Sequence, residues 1–310
     1  MIKRFFCSSV ILFWFSALSQ NQISDILNYE NEVKEISIEN EQVAFVDVGS
    51  GGRTLIFIHG LSSNLQSWTK NISKLKNSYR CIALDLPGYG KSTKNRTNYS
   101  MNDYAGFLKS FIDKKNLQDL ILVGHSMGGQ IAAHTVLNTQ VKFRSLVLIA
   151  PAGIETFTED EAAILEASYT SEMVKASTPE QIRNNYEKNF HEFPEDAKFM
   201  VKERIAMKDA EDMNVYSEIV VNNIQAMLDE PVIDRLSEIE IPVLMIYGKK
   251  DLLIPNTYFH PSQDVFSLVE TAKEKIPNLK VDLIDKAGHF VNFEKSGQVN
   301  DSIIKFLNEE

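Results

Sequence analysis

Residues 120–133 read LILVGHSMGGQIAA, and this stretch carries the most specific structural pattern of the sequence. A continuous apolar run, typical of a buried strand, leads through Gly-His-Ser-Met-Gly at 124–128 into a helical pattern. A serine in so tight a turn needs strained backbone angles, and glycines on both sides remove side chains that would collide there. The pattern predicts a nucleophile at Ser126, held above the end of a strand at the start of a helix. An ordinary strand-to-helix turn is the alternative interpretation.

Strand-like and helical patterns alternate outward from this stretch. Apolar runs predict an opening antiparallel pair at 36–38 and 43–46, followed by further strands at 54–58, 79–84, 119–123, 145–150, 242–247 and 280–284. Helical patterns lie at about 65–76, 102–115, 127–138, 262–275 and 294–308. Alternating strands and helices of this kind predict an α/β fold, with a mostly parallel central sheet covered by helices on both faces. Functional side chains then collect at the carboxyl ends of the strands.

Residues 154–231 interrupt the alternation. They contain no strand-like run and are rich in Glu, Lys, Met and Ala, which favour helices. We therefore expect a helical cap at 154–231 over the carboxyl edge of a core formed by 20–153 and 232–310. The cap also contributes large apolar side chains, some of which are expected to line a substrate pocket while the others form its own core: Phe157, Tyr169, Met173, Tyr186, Phe190 and Phe193.

A serine hydroxyl needs a base, and two histidines follow the cap. His289 lies on a loop directly after the strand at 280–284, whereas His260 is expected to be a surface residue at the start of a helix. Asp251 follows the strand at 242–247 and is the predicted acid, which would fix the tautomer of the imidazole. The alternative for Asp251 is a turn residue that accepts local amide hydrogen bonds. Asp282 and Asp285 are weaker candidates because they lie in the last strand and at its end.

A carbonyl substrate also needs two backbone N–H groups that stabilise the developing oxyanion. Met127 follows the nucleophile and is expected to supply one of these amides. Leu61 is expected to supply the other, since it follows Gly60 after the strand at 54–58. His59 precedes the serine in the chain and is interpreted as a brace for this loop.

The N-terminus has the layout of a signal peptide. Lys3 and Arg4 precede an apolar run at 5–18, and Ala17-Leu18-Ser19 resembles a cleavage site. Residues 1–19 are therefore predicted to direct export to the periplasm or the medium, with an uncleaved membrane anchor as the alternative. Cleavage would remove Cys7 and leave Cys81 without a disulfide partner.

Composition and the remaining motifs exclude other classes of protein. A net charge of -10, from 42 acidic and 32 basic residues, argues against a nucleic-acid partner. Gly90-Lys91-Ser92 lacks the first glycine of a phosphate-binding loop, because Asp85 occupies that position. The sequence contains no Cys/His metal cluster, so neither a metal nor a cofactor is predicted.

Taken in order, these motifs resemble those of the α/β-hydrolase superfamily. The resemblance rests on His59-Gly60, the stretches at 85–92 and 124–129, Gly248-Lys249-Lys250-Asp251 and Gly288-His289. Residues 148–153, which read LIAPAG, further resemble the lipase and monoacylglycerol-lipase branch. The resemblance implies a serine hydrolase with a Ser126, His289 and Asp251 triad, and a cap that governs the choice of substrate.

The expected activity is hydrolysis of a carboxylic ester through an acyl-enzyme on Ser126. The expected partner is a small ester or lipid, with transient contact to a lipid surface, and the oligomeric state stays open. One alternative keeps the triad but cleaves an amide, or a carbon–carbon bond of a diketone-like acid held by Arg183 or Arg204. A binding module without activity is the other alternative, which an intact set of triad residues disfavours.

Overall fold

The computed structural model describes residues 21–95 and 99–310, so the predicted signal peptide lies outside the described residues. One eight-stranded sheet forms the centre, in the order β1-β2-β4-β3-β5-β6-β7-β8. Only β2 runs against its neighbours, and all the other adjacent pairs are parallel. The strands are β1 (Lys34–Ile38), β2 (Glu41–Val48), β3 (Thr54–Ile58), β4 (Arg80–Leu84), β5 (Leu120–His125), β6 (Phe143–Ile149), β7 (Val243–Gly248) and β8 (Leu279–Ile284).

Helices connect the strands and cover both faces of the sheet. In chain order they are α1 (Ile23–Ile26), α2 (Thr69–Leu75), α3 (Met101–Lys114), α4 (Met127–Asn138), α5 (Glu159–Ser168), α6 (Ser171–Ala176), α7 (Pro179–Glu187), α8 (Lys198–Ala206), α9 (Met213–Asp229), α10 (Val265–Lys275), α11 (Val291–Glu294) and α12 (Ser296–Asn308). Short 3-10 turns lie at Leu65–Trp68, Glu195–Ala197, Met207–Asp209 and Ile233–Glu238. The predicted α/β class with a mostly parallel sheet is confirmed.

The core lies in two layers, one on each face of the sheet. Successive residues of a strand point to opposite faces, and in β3 Ile56 and Ile58 pack in one layer while Leu55 and Phe57 pack in the other. Helices α3, α4 and α10 cover the first layer, and α2 and α12 cover the second. Because β3, β5 and β7 are buried along their whole length, the sheet holds the loops at its carboxyl edge in fixed positions.

Residues 154–231 form helices α5 to α9 with the two intervening 3-10 turns and contain no strand. Threonines start three of these helices: the side chains of Thr158, Thr170 and Thr178 each accept a hydrogen bond from a backbone N–H in the first turn. Helix α9 is the longest of the five and packs against α3, α5 and α6. The limits of the predicted cap domain stay a prediction.

Within the described ranges, no helix has both the length and the apolar character needed to cross a membrane. The same residues contain no group of three His, Cys, Asp or Glu side chains arranged to hold a metal ion. Cys81 is fully buried in β4, where burial raises the pKa of its thiol to about 12, so it is a core residue of the sheet.

Candidate active site

Ser126 occupies a strained turn between β5 and α4. Its backbone has φ 55° and ψ −121°, outside the regions that L-residues normally adopt. Two glycines make the turn sterically feasible. A Cβ on Gly124 would lie 2.2 Å from the carbonyl oxygen of Gly128, and a Cβ on Gly128 would lie 2.2 Å from that of Ile58. The turn leaves Ser126 half-buried, at the wall of a cavity.

His289 and Asp251 form a buried pair at the same edge of the sheet. The ring Nδ1 of His289 lies 2.8 Å from Asp251 Oδ2, although the two residues are 38 positions apart. The other carboxylate oxygen, Oδ1, accepts the backbone N–H groups of Leu253 at 2.8 Å and Ile254 at 3.1 Å. These two amides fix the orientation of the carboxylate, and the carboxylate in turn fixes Nδ1 of His289 as the protonated nitrogen.

Ser126 and His289 line the same cavity, which has a volume of about 290 Å³. Leu61 and Gly60 form part of its wall, so the loop predicted to stabilise an oxyanion borders the serine. Met127 follows Ser126 as the first residue of α4 and is buried. The structure thus brings the predicted nucleophile, base and acid and the loop of Leu61 to one place, and their roles stay predictions.

His59 is part of the support beneath this loop. Its Nδ1–H donates to the carbonyl oxygen of Gly60 at 2.8 Å, while its Nε2 accepts the backbone N–H of Leu86 at 3.1 Å. Complete burial lowers the pKa of His59 to about 4, and the hydrogen bond to Gly60 opposes this shift only in part. His59 is therefore neutral at pH 7 and does not line the cavity, which agrees with a bracing role.

The cavity wall is mostly apolar, and residues of the predicted cap supply six of its apolar side chains. Phe157 and Tyr169 line it, as do Leu165 of α5 and three residues of α9: Ile224, Met227 and Leu228. Phe190 is buried instead, and its ring stacks on that of Phe290 with centroids 5.4 Å apart. Met173, Tyr186 and Phe193 do not contribute to the wall either.

Neither arginine considered for an acidic substrate lines this cavity. Arg183 is exposed to solvent on α7. Arg204 borders a separate cavity of about 30 Å³, where its buried Nη1 has no hydrogen-bond partner among the described residues. That volume is enough for one or two water molecules.

A second histidine–carboxylate pair lies beside the predicted triad, and no sequence motif indicates it. Glu155 lines the cavity, and its Oε1 lies 2.5 Å from Nδ1 of His260 and accepts the backbone N–H of Asn256 at 2.8 Å. Burial raises the pKa of Glu155, and the hydrogen bond to His260 opposes that shift. The expectation that His260 is a surface residue is wrong: its side chain is only 13% exposed because it packs against the start of the cap. Helix α10 begins later than expected, at Val265.

Comparison with known proteins identifies the class. The family model described as the α/β-hydrolase fold matches residues 53–296, and the chain belongs to this family. The chain is 25% identical over 275 residues to a dihydrolipoyllysine-residue acetyltransferase component of the acetoin cleaving system from Cupriavidus necator. This match covers 87% of the chain but only about two thirds of the relative, 67%.

Two further relatives match over nearly their whole length. A 2-hydroxy-6-oxononadienedioate/2-hydroxy-6-oxononatrienedioate hydrolase from Paraburkholderia phymatum is 25% identical over 283 residues, covering 86% of the chain and 91% of the relative. The solved structure of an esterase from Exiguobacterium antarcticum superposes with a TM-score of 0.75 at 22% identity, covering 89% of the chain and 100% of the esterase. At that identity the likeness to the esterase shows the fold alone.

Proposed function

We propose that this chain is a serine hydrolase that cleaves an uncharged carboxylic ester with an apolar acyl chain. The observation that carries the proposal is the placement of Ser126, at a strained turn, on the wall of the cavity that His289 also lines, with His289 paired to the buried Asp251. Nucleophilic acyl transfer requires a serine and, in the same site, a histidine whose ring is held in a fixed orientation.

In the proposed reaction, Ser126 Oγ attacks the ester carbonyl while Nε2 of His289 takes the hydroxyl proton. The oxyanion accepts the backbone N–H groups of Leu61 and Met127. The C–O bond to the alcohol then breaks, and the alcohol leaves with the proton from His289. A water molecule, deprotonated by the same Nε2, attacks the acyl-enzyme and releases the acid and free Ser126. Asp251 stabilises the imidazolium of His289 in both halves of the reaction.

The charge of the cavity favours an ester over a diketone-like acid. The described residues that line it include no Lys or Arg, and Glu155 is a carboxylate in its wall. An anionic substrate would be placed near Glu155 and Asp251 without a cation in the cavity wall to compensate, which is unfavourable in a site of low dielectric constant. The Paraburkholderia relative is named for a dioate, whereas the wall of this cavity fits a neutral substrate.

A matched pair of substrates tests the proposal. p-Nitrophenyl butyrate and mono-p-nitrophenyl succinate have acyl chains of similar length, but only the succinate carries a carboxylate. We expect kcat/KM to be at least about tenfold higher for the butyrate, and Glu155→Gln to narrow the gap. Esters from acetate to decanoate would then define the preferred chain length. Preference for the succinate, or no hydrolysis of any ester, contradicts the proposal.

We also propose that the enzyme takes its substrate from an uncharged lipid surface. Five exposed apolar side chains lie in the segments that border the cavity, and we call them the mouth patch: Ile164, Tyr169, Leu252, Leu253 and Tyr258. Tyr169 and Leu253 themselves line the cavity. Exposed apolar groups around the opening of an apolar pocket favour contact with lipid. Acidic residues in the first turn of α5 disfavour an anionic membrane.

The proposed location is outside the cytoplasm, after cleavage of residues 1–19. The support is the basic, apolar and small-residue order of that segment. N-terminal sequencing of the protein from its native host should then give a mature chain that begins near Gln20. A chain that retains Met1 in the cytosolic fraction contradicts this location.

A further inference from the structure

His125 ends β5 and precedes the proposed nucleophile, and its side chain is almost fully buried. Its ring packs 4.9 Å from the ring of His289 and 4.8 Å from that of Phe290, with Trp68 edge-on at 6.5 Å. The sequence analysis gave this histidine no role. Its ring therefore extends from the end of the nucleophile strand to the loop that holds the proposed base.

A hydrogen bond from His125 connects the nucleophile strand β5 to the loop that holds the proposed base. Nε2 of His125 lies 3.0 Å from the carbonyl oxygen of His289, 164 positions along the chain. A carbonyl oxygen only accepts, so Nε2 carries the proton and Nδ1 is unprotonated. Burial and the neighbouring His289 hold the pKa of His125 well below the usual range, and the ring is therefore neutral at pH 7.

Hydrogen bonds hold the backbone of three consecutive residues of the base loop, Gly288, His289 and Phe290. Glu294 accepts the backbone N–H of Gly288, and the carbonyl oxygen of Asn189 accepts that of Phe290, both at 2.8 Å. Both of these partners lie outside the sheet, whereas His125 ties the carbonyl of His289 to β5. The backbone of the base is thus linked directly to β5, the strand that leads into Ser126.

The same ring also borders the proposed oxyanion loop. A Cβ on Gly60 would lie 3.1 Å from Nδ1 of His125, so the Cα of Gly60 faces this nitrogen. Nδ1 is buried and has no hydrogen-bond partner among the described residues. One side chain therefore contacts the loop of the base and the loop of Leu61, and it is adjacent in sequence to the nucleophile.

We infer that His125 is a positioning residue: its Nε2–H fixes the backbone of His289 and so sets the distance between the base and Ser126. The inference rests on the proposed function. Proton transfer depends steeply on this distance, and a displacement of about 1 Å can cost about 100-fold in rate. His125 also lines the cavity, so a side chain of similar size keeps that part of the wall. Without the donor, such a side chain should change substrate binding little and slow the chemical step.

Three variants of the full chain separate the effect of the hydrogen-bond donor from the effect of the size and shape of the ring. Glutamine places its Nε2 three bonds from Cβ, as histidine does, so His125→Gln keeps a donor near the same point. His125→Met fills similar space without a donor. His125→Asn keeps an amide but is one bond too short to reach His289, and it replaces the methionine variant if that one does not fold.

The readouts are kcat and KM on p-nitrophenyl butyrate, the rate of fluorophosphonate labelling, and the melting temperature. For the Met and Asn variants we expect kcat and the labelling rate to fall about 10- to 100-fold in parallel, with KM within about threefold of wild type. His125→Gln should retain kcat within about threefold of wild type.

Wild-type kcat in a folded Met or Asn variant would overturn the inference. A Gln variant as slow as the Met variant at equal melting temperature would also overturn it, because the ring and not the donor would then matter. Wild-type protein that takes no fluorophosphonate at Ser126 would contradict the proposed function itself, and this inference with it.

Discussion

Replacing Asp251 by asparagine should stop His289 from acting as a base without disturbing the fold. Asp251 Oδ1 accepts two backbone N–H groups, from Leu253 and Ile254, so the remaining oxygen of an asparagine would stay with them. The amide NH2 would then face Nδ1 of His289, across what is now a 2.8 Å contact. Two donors cannot share that contact, and the proton of the imidazole must move to Nε2.

With its proton on Nε2, His289 cannot accept the proton of Ser126. The expected loss of kcat is about 10⁴-fold, which corresponds to about 5 kcal/mol of transition-state stabilisation. The assay is kcat and KM on p-nitrophenyl butyrate at pH 8, with a thermal melt to confirm folding. Because the two backbone hydrogen bonds remain, the melting temperature should change by only a few degrees, about the effect of 1 kcal/mol.

Asp285→Asn is the matched control. Asp285 is 81% exposed, and its carboxylate lies 2.9 Å from Nζ of Lys249 in a surface ion pair that contributes little to stability. Its kcat should stay within about twofold of wild type. A folded Asp251→Asn variant with more than about a tenth of wild-type kcat would refute the assignment of the acid. So would a large loss of activity in the control.

Three further predictions concern the buried His59, the cavity wall at Phe157 and the mouth patch. The first concerns His59, whose pKa is about 4 in the folded protein and about 6.5 in the unfolded chain. Below pH 6.5 the unfolded chain therefore binds a proton at His59 that the folded protein does not bind, and this favours unfolding. Between pH 6.5 and 4 the wild type should therefore lose about 3 kcal/mol of unfolding free energy more than His59→Gln, measured by urea unfolding. Phe157→Ala should lower kcat/KM about tenfold more for octanoate than for acetate esters, since Phe157 lines the cavity. The double variant Ile164→Ser/Tyr258→Ser should weaken flotation with phosphatidylcholine vesicles about tenfold. The control Val215→Ser, at an exposed residue of α9 that is not part of the mouth patch, should not weaken it. Equal binding by the wild type and both variants would contradict lipid contact.

The parts of the site that were predictable from sequence depend on local chemistry. The strained turn at Ser126 needs glycine at 124 and at 128. A Cβ at either position would lie 2.2 Å from a backbone oxygen, that of Gly128 or that of Ile58. The strands are visible as apolar runs because both faces of the sheet are buried. Asp251 and His289 follow two such strands, and neighbouring parallel strands bring their carboxyl ends together.

The remaining features depend on pairings that leave no local pattern. Glu155 and His260 are 105 positions apart and meet only because the start of the cap packs against the loop after Asp251. The bond from His125 goes to a backbone carbonyl, which any residue type at 289 would offer. Arg204 is a cation in the cap, and only its position in a separate cavity shows that it does not face Ser126.

The proposed function depends on Ser126 as the nucleophile. The most direct test is to react the wild-type protein with a fluorophosphonate and to locate the adduct by peptide mass spectrometry, with Ser126→Ala treated in parallel. We expect one adduct, on the peptide that contains Ser126, and no labelling of the variant. An adduct on a different serine, or labelling of Ser126→Ala to the wild-type extent, would contradict it.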